Sequence, residues 1–175
     1  MSRSIHTPAC FQGIAAAPAY LYQQYDFQPS FYRIMPKQVK EERMKFQRAR
    51  EASEAELMAL SEKNEIFAAH LELLRDESLH EKICQKIETE GKNAQMALSE
   101  VIKSYTDLFQ TMENDYFRER GADIKDIGKR LLCQLEGIKC PDLGSLAEEV
   151  IVVAKELLPS DTVRLNPAFV KGILT

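Results

Sequence analysis

Glu149-Val150-Ile151-Val152-Val153-Ala154 is the stretch on which the fold turns, a continuous apolar, β-branched run of strand length. Runs of this kind suit a strand covered on both faces, as in an α/β layer. Downstream, Ser160-Asp161-Thr162 reads as a helix start, Asn166-Pro167 as a break and Val170 to Leu174 as a second strand. One buried strand and the start of another do not complete such a layer, so the sequence predicts a truncated α/β subdomain. Far upstream, the Ala-rich segment from Phe11 to Leu21, broken by Gly13 and Pro18, reads as a short strand and turn that must pair with something distant.

Between these ends the period is helical. From Pro36, suited to a first helical turn, Val39, Phe46, Ala49, Leu57 and Leu60 predict one helix of about seven turns. A second runs from about Asn64 through Phe67, His70, Leu71 and Leu74, breaks near Arg75-Asp76-Glu77-Ser78, and resumes through Leu79, Ile83, Cys84 and Ile87 to Gly91. A third carries Ala94, Leu98, Val101, Tyr105, Leu108 and Met112, with a further stripe of Ile102, Phe109 and Tyr116 that is either core or a docking face. Gly121 closes this helix and Asp123 caps a short fourth through Ile124, Ile127, Leu131 and Leu135. The expected fold is mainly α, an antiparallel helical bundle inserted into a partial α/β subdomain.

Composition narrows the function. Of 175 residues, 45% are apolar and 29% charged, the balance of a soluble globular chain. A net charge of -4 supplies no positive field for nucleic acid or an anionic membrane. No apolar run reaches the roughly 20 residues of a membrane span, and no secretory signal opens the chain, so a cytoplasmic location is expected. Cys10, Cys84, Cys133 and Cys140 form no CxxC pair and read as reduced thiols.

Chemistry-bearing motifs are sparse. His6, His70 and His80 have no zinc-type spacing, and no glycine-rich phosphate loop occurs, so neither a metal nor a nucleotide is expected. His70, on an apolar helix face, reads as a hydrogen-bonded core or interface residue. Ser160-Asp161-Thr162 could face an anion, but reads first as a plain helix cap.

Three runs carry a family resemblance. They are Phe67-Ala68-Ala69-His70-Leu71-Glu72-Leu73-Leu74-Arg75-Asp76, the segment from Tyr116-Phe117-Arg118-Glu119-Arg120-Gly121-Ala122-Asp123 to Leu132, and Val150-Ile151-Val152-Val153-Ala154 followed by Leu158-Pro159-Ser160-Asp161-Thr162. In order and spacing they resemble Enzyme I, the phosphoenolpyruvate–protein phosphotransferase family of bacterial sugar transport. The resemblance implies a helical subdomain, residues 27–141, that docks the phosphocarrier protein HPr, and an α/β phosphohistidine subdomain from residues 1–26 and 142–175. It implies a docking surface of His70, Leu73, Asp76, Glu77, Leu79, Phe109, Tyr116, Arg120 and Lys125, with Thr162 near the phosphorylated histidine. That histidine is expected just past Thr175, leaving no catalytic residue and no cofactor in this stretch. Magnesium and a carboxy-terminal phosphoenolpyruvate-binding domain are expected of the parent protein. A helical interaction module without phosphotransfer, or the same region of a regulatory paralogue, remains open on these residues.

Overall fold

The computed structural model describes residues 14–23, 30–62 and 64–175. His6, Cys10 and the start of the segment expected to pair far away lie outside them. The described part of that segment ends in β1 (Ala19–Tyr22), which runs parallel to β2 (Val150–Ala154), which in turn pairs in parallel with β3 (Val170–Leu174). β2 is therefore the central strand of the sheet order β1-β2-β3. Its burial alternates: Val150, Val152 and Ala154 are buried, whereas Ile151 and Val153 are half-buried. The apolar run thus makes a strand as expected, but with one face fully covered rather than two.

Five long helices lie in sequence between β1 and β2. They are α1 (Val39–Ser61), α2 (Glu65–Leu74), α3 (Glu77–Glu90), α4 (Ala94–Gln110) and α5 (Asp115–Glu136); a short α6 (Pro159–Val163) follows β2. Each boundary has a local cause. Asn64 accepts from Ile66 N at 2.9 Å to start α2, and Asp76 accepts from Ser78 N at 2.7 Å to start α3, which is why the break at Arg75-Asp76 is complete. Gly91 ends α3 with a left-handed φ of 59°, a conformation that costs a residue with a Cβ. Glu42 is buried on α1 and accepts the Ala94 N–H at 2.9 Å, so a carboxylate from another helix closes the N-terminus of α4.

Two expectations are corrected in the second half of the bundle. The third helix stops at Gln110, and Asn114 accepts from Tyr116 N at 2.9 Å to start α5, so Tyr116 stands on a different helix from Phe109. Gly121 ends nothing. It lies inside α5, where an added Cβ would come within 3.3 Å of Phe109 Cβ, and at Gly128 it would come within 2.8 Å of Ile102. These glycines let α5 approach α4 closely, and that packing offsets the roughly 1 kcal/mol of helix propensity each gives up relative to alanine.

The main core joins all five helices through Phe46, Leu57, Phe67, Ile83, Leu98 and Ile127. A second, smaller core holds Tyr22, Leu143, Val150, Val152 and Ala154 under the sheet. The cysteine reading is also corrected: Cys133 and Cys140 form a disulfide, because the left-handed turn at Gly137 folds the chain back and brings their Cα atoms to 5.9 Å. Cys84 is a buried free thiol. Among the described residues no helix is long and apolar enough to cross a membrane.

Candidate functional site

The aromatic end of the α4–α5 pair brings together Phe109, Tyr116 and Arg120 of the predicted residues. Phe109, half-buried, stacks on Phe117 with ring centroids 6.1 Å apart, and Phe117 meets Tyr116 edge-on at 5.5 Å. Tyr116 is 54% exposed, in the first turn of α5. One turn on, Arg120 donates from Nε and Nη2 to the Tyr116 hydroxyl at 3.2 Å each, and its guanidinium carbon lies 5.4 Å from the ring centroid. The same hydroxyl raises the already high pKa of Arg120, so this cation is fixed on the surface.

Beneath this patch lies His70. Its ring is buried, edge-on to Phe67 at 6.2 Å, and Nε2 stands 3.2 Å from Asp123 Oδ1. Arg120 reaches the other oxygen of Asp123 at 3.9 Å, so His70, Asp123, Arg120 and Tyr116 form one polar chain from core to solvent. α3 borders the patch through Tyr105, whose hydroxyl lies 3.5 Å from Ser78 Oγ and whose ring carries Lys82 Nζ at 4.5 Å.

The other predicted residues are placed differently. Leu79 is buried and Leu73 half-buried in the bundle. Asp76 is exposed and caps α3; Glu77 accepts from Arg50 at 2.9 Å, which holds its carboxyl below the usual range. The Lys125 amine is paired with Glu156 in the loop after β2. Thr162 is exposed on α6 and donates its hydroxyl to Pro159 O at 2.8 Å.

Sequence reasoning missed Phe117 and the second role of α5. Asp126 accepts from Ser160 N at 2.8 Å and from Ser160 Oγ at 2.7 Å. Lys129 donates to Asp161 Oδ1 at 3.3 Å, and Tyr22 donates to the same oxygen at 2.7 Å. Burial and the Asp161 carboxylate push the Tyr22 phenol far above its ordinary pKa, so it stays a hydrogen-bond donor. The available signal was the i, i+3 spacing of Asp123, Asp126 and Lys129 along one helix. Among the described residues no three His, Cys, Asp or Glu side chains gather as metal ligands.

The family described as "PEP-utilising enzyme, N-terminal" matches residues 8–120. The chain belongs to that family. This PEP-utilising N-terminal domain is 39% identical, over its whole length, to phosphoenolpyruvate-protein phosphotransferase of Listeria innocua, of which it covers 32%. It is 39% identical to the Bacillus subtilis protein of the same name over 93% of the chain and 30% of that protein. It thus spans about a third of the length of these relatives. Among solved structures, a solution structure of Enzyme I (nEIt) superposes with a TM-score of 0.74 at 34% identity, covering 90% of this chain and 67% of that one. The N-terminal domain of "Enzyme 1 - Nitrogen" has a TM-score of 0.63 at 22% identity over 90% of this chain and 67% of that one, a likeness of fold.

Proposed function

We propose that this domain is the carrier-docking part of a phosphoenolpyruvate–protein phosphotransferase of a bacterial sugar phosphotransferase system, and that the exposed Tyr116-Phe117-Arg120 patch receives the phosphocarrier protein HPr. The observation that carries this reading is that patch itself, an aromatic surface with a fixed cation at its rim, standing on a buried histidine–carboxylate pair. Transient interfaces draw affinity from such aromatic and arginine anchors and orientation from the charges around them. The relatives' shared name supports the phosphotransferase reading.

In this proposal residues 27–141 form an antiparallel helical docking subdomain inserted between the two parts, 1–26 and 142–175, of a phosphohistidine subdomain. Thr162 sits on the α/β side, near where the phosphorylated histidine would lie. Phosphate passes through that histidine, outside residues 1–175, with magnesium and phosphoenolpyruvate bound by a carboxy-terminal domain in the cytoplasm.

Titration of the carrier into the domain, followed by heteronuclear NMR, tests the reading. Amide shifts should concentrate on Tyr116, Phe117, Arg120 and the facing turn of α3. Tyr116→Ala should weaken binding by more than about 1 kcal/mol, roughly five-fold. Shifts confined to α1, or unchanged affinity, would refute it.

A further inference from the structure

A different part of the molecule, unrelated to the docking patch, carries soft donors. His80 and Cys84 stand one helical turn apart on α3, with Nε2 3.5 Å from Sγ. Both line a groove of about 600 Å³ that opens between α3 and the first turns of α1, and Met44 of α1 lines the same groove. The imidazole is held in place by stacking on Phe46 at 5.4 Å between centroids, and Phe46 is core. The ring nitrogen that faces Sγ is Nε2, and among the described residues the buried Nδ1 has no hydrogen-bond partner.

The spacing of the two donors has a second reading besides a weak S–H···N bond. Sulfur and nitrogen ligands at about 2.3 and 2.05 Å from one metal, with a bond angle between tetrahedral and trigonal, stand about 3.6–3.8 Å apart. The observed pair is already close to that bite, so binding requires little rearrangement of α3. Met44 is 45% exposed and has an unbranched, flexible thioether side chain, suited to swinging onto a metal held by the other two.

Charge selects the ion. Arg43 and Lys40 line the groove, and Arg50 lies on the same side of α1, with Arg43 paired to Glu88 at 2.6 Å and Arg50 to Glu77 at 2.9 Å. Such surroundings oppose a site with net positive charge. A thiolate, a neutral imidazole and a thioether around a monovalent ion sum to zero, whereas a divalent ion leaves a net charge of plus one beside the guanidiniums. Thiolate and thioether donors also favour copper(I) over the harder divalent ions. We infer that Cys84, His80 and Met44 form a three-donor site for a soft monovalent metal ion, copper(I) or its analogue silver(I), on the α1–α3 face. On binding, the Cys84 thiol releases its proton to solvent as the sulfur–metal bond forms, and no electron is transferred.

Silver(I) is the probe, since it needs no reductant and leaves the Cys133–Cys140 disulfide intact. In a Cys10→Ser background, so that Cys84 is the free thiol, titration should give one ion per chain, with the His80 ring nitrogens and the Met44 methyl shifting in NMR spectra. Cys84→Ala should abolish binding, and His80→Gln and Met44→Leu should each weaken it at least ten-fold. Circular dichroism of each variant checks that the bundle is folded. Zinc(II) should bind at least a hundred-fold more weakly than silver(I). Full-strength silver binding in both His80→Gln and Met44→Leu would reduce the site to a bare thiol and overturn the inference, as would zinc binding equal to silver.

Discussion

Tyr116 and Phe109 illustrate how exposure separates two roles for aromatic side chains seven residues apart. Phe109 is half-buried and packs between Tyr105, Phe117 and the Cβ position of Gly121, so its truncation removes contacts from the α4–α5 seam. Tyr116 is more than half exposed, and within the chain its hydroxyl serves Arg120. Phe109→Ala should therefore cost about 1–3 kcal/mol of stability, less than the 3–5 of a fully buried ring. Tyr116→Ala should change stability by no more than about 0.5 kcal/mol. Thermal melts of the two variants check this, and equal losses would place Tyr116 in the core as well. The apolar stripe in the sequence admits both core and docking face, and the helix break at Asn114 divides them: one ring belongs mainly to each.

Gly121 and Gly128 decide how α5 is read. Glycine late in an apolar period is the ordinary sign of a helix end, so Gly121 reads as a stop and Asp123 as a cap, yet both lie within one continuous helix of 22 residues. What a single sequence cannot supply is the neighbour: the missing side chain at Gly128 is occupied by Ile102 of α4, at 2.8 Å from where a Cβ would sit. Gly128→Ala should therefore destabilise the chain by about 1–3 kcal/mol despite alanine's better helix propensity, and Ile102→Ala, which removes both Cγ atoms that an added Cβ would meet, should cost less in that background than in the parent. Denaturant titration of the single and double variants measures it. By contrast, the breaks at Asp76 and Gly91 and the strands at Val150 and Val170 were legible, because each is set by local capping, φ or an apolar run. For the candidate site, the resemblance supplies the residue set that the proposal uses, but the Asp123 partner of His70 and the joint at Asp126 were not legible, since both are contacts across more than 30 residues.

The turn between α3 and α4 adds a pH-sensitive feature. Lys86 and Lys92 both donate to Glu100, and these bonds hold its carboxyl below the ordinary range. A depressed carboxylate contributes stability that is complete above its unfolded pKa, about 4.3, and lost as pH falls through the folded value. Glu100→Gln should leave a chain less stable at pH 7 whose melting temperature falls less between pH 5 and pH 3 than that of the parent. A parallel fall in both proteins would mean that the lysines do not act on Glu100 in solution.

At the scale of the whole molecule, α5 gives its apolar residues to the larger of two cores and polar contacts to the segment that carries the smaller. The larger holds the five helices together, whereas the smaller rests on Tyr22, Leu143 and the inward residues of β2. Among the described residues no further strand pairs with β1 or β3, and Leu21 of β1 is 63% and Leu174 of β3 50% exposed. Few buried contacts and an uncovered edge are the conditions for local opening at a free energy below that of global unfolding. The restraint on that opening is the polar joint, in which Asp126 takes both hydrogen bonds of buried Ser160, and Lys129 and Tyr22 converge on Asp161. Native-state hydrogen exchange should accordingly show stronger protection in α3, α4 and α5 than in β1 and β3. Asp126→Ala sharpens the test, because it leaves the Ser160 N–H and hydroxyl without their acceptor, a loss of about 1–3 kcal/mol. If the two cores open separately, protection over residues 150–174 should fall about ten-fold or more in this variant while the amides of α3 and α4 keep theirs. An equal fall in both regions would show instead that the sheet and the helices unfold as one cooperative unit, with α5 transmitting the loss from one core to the other.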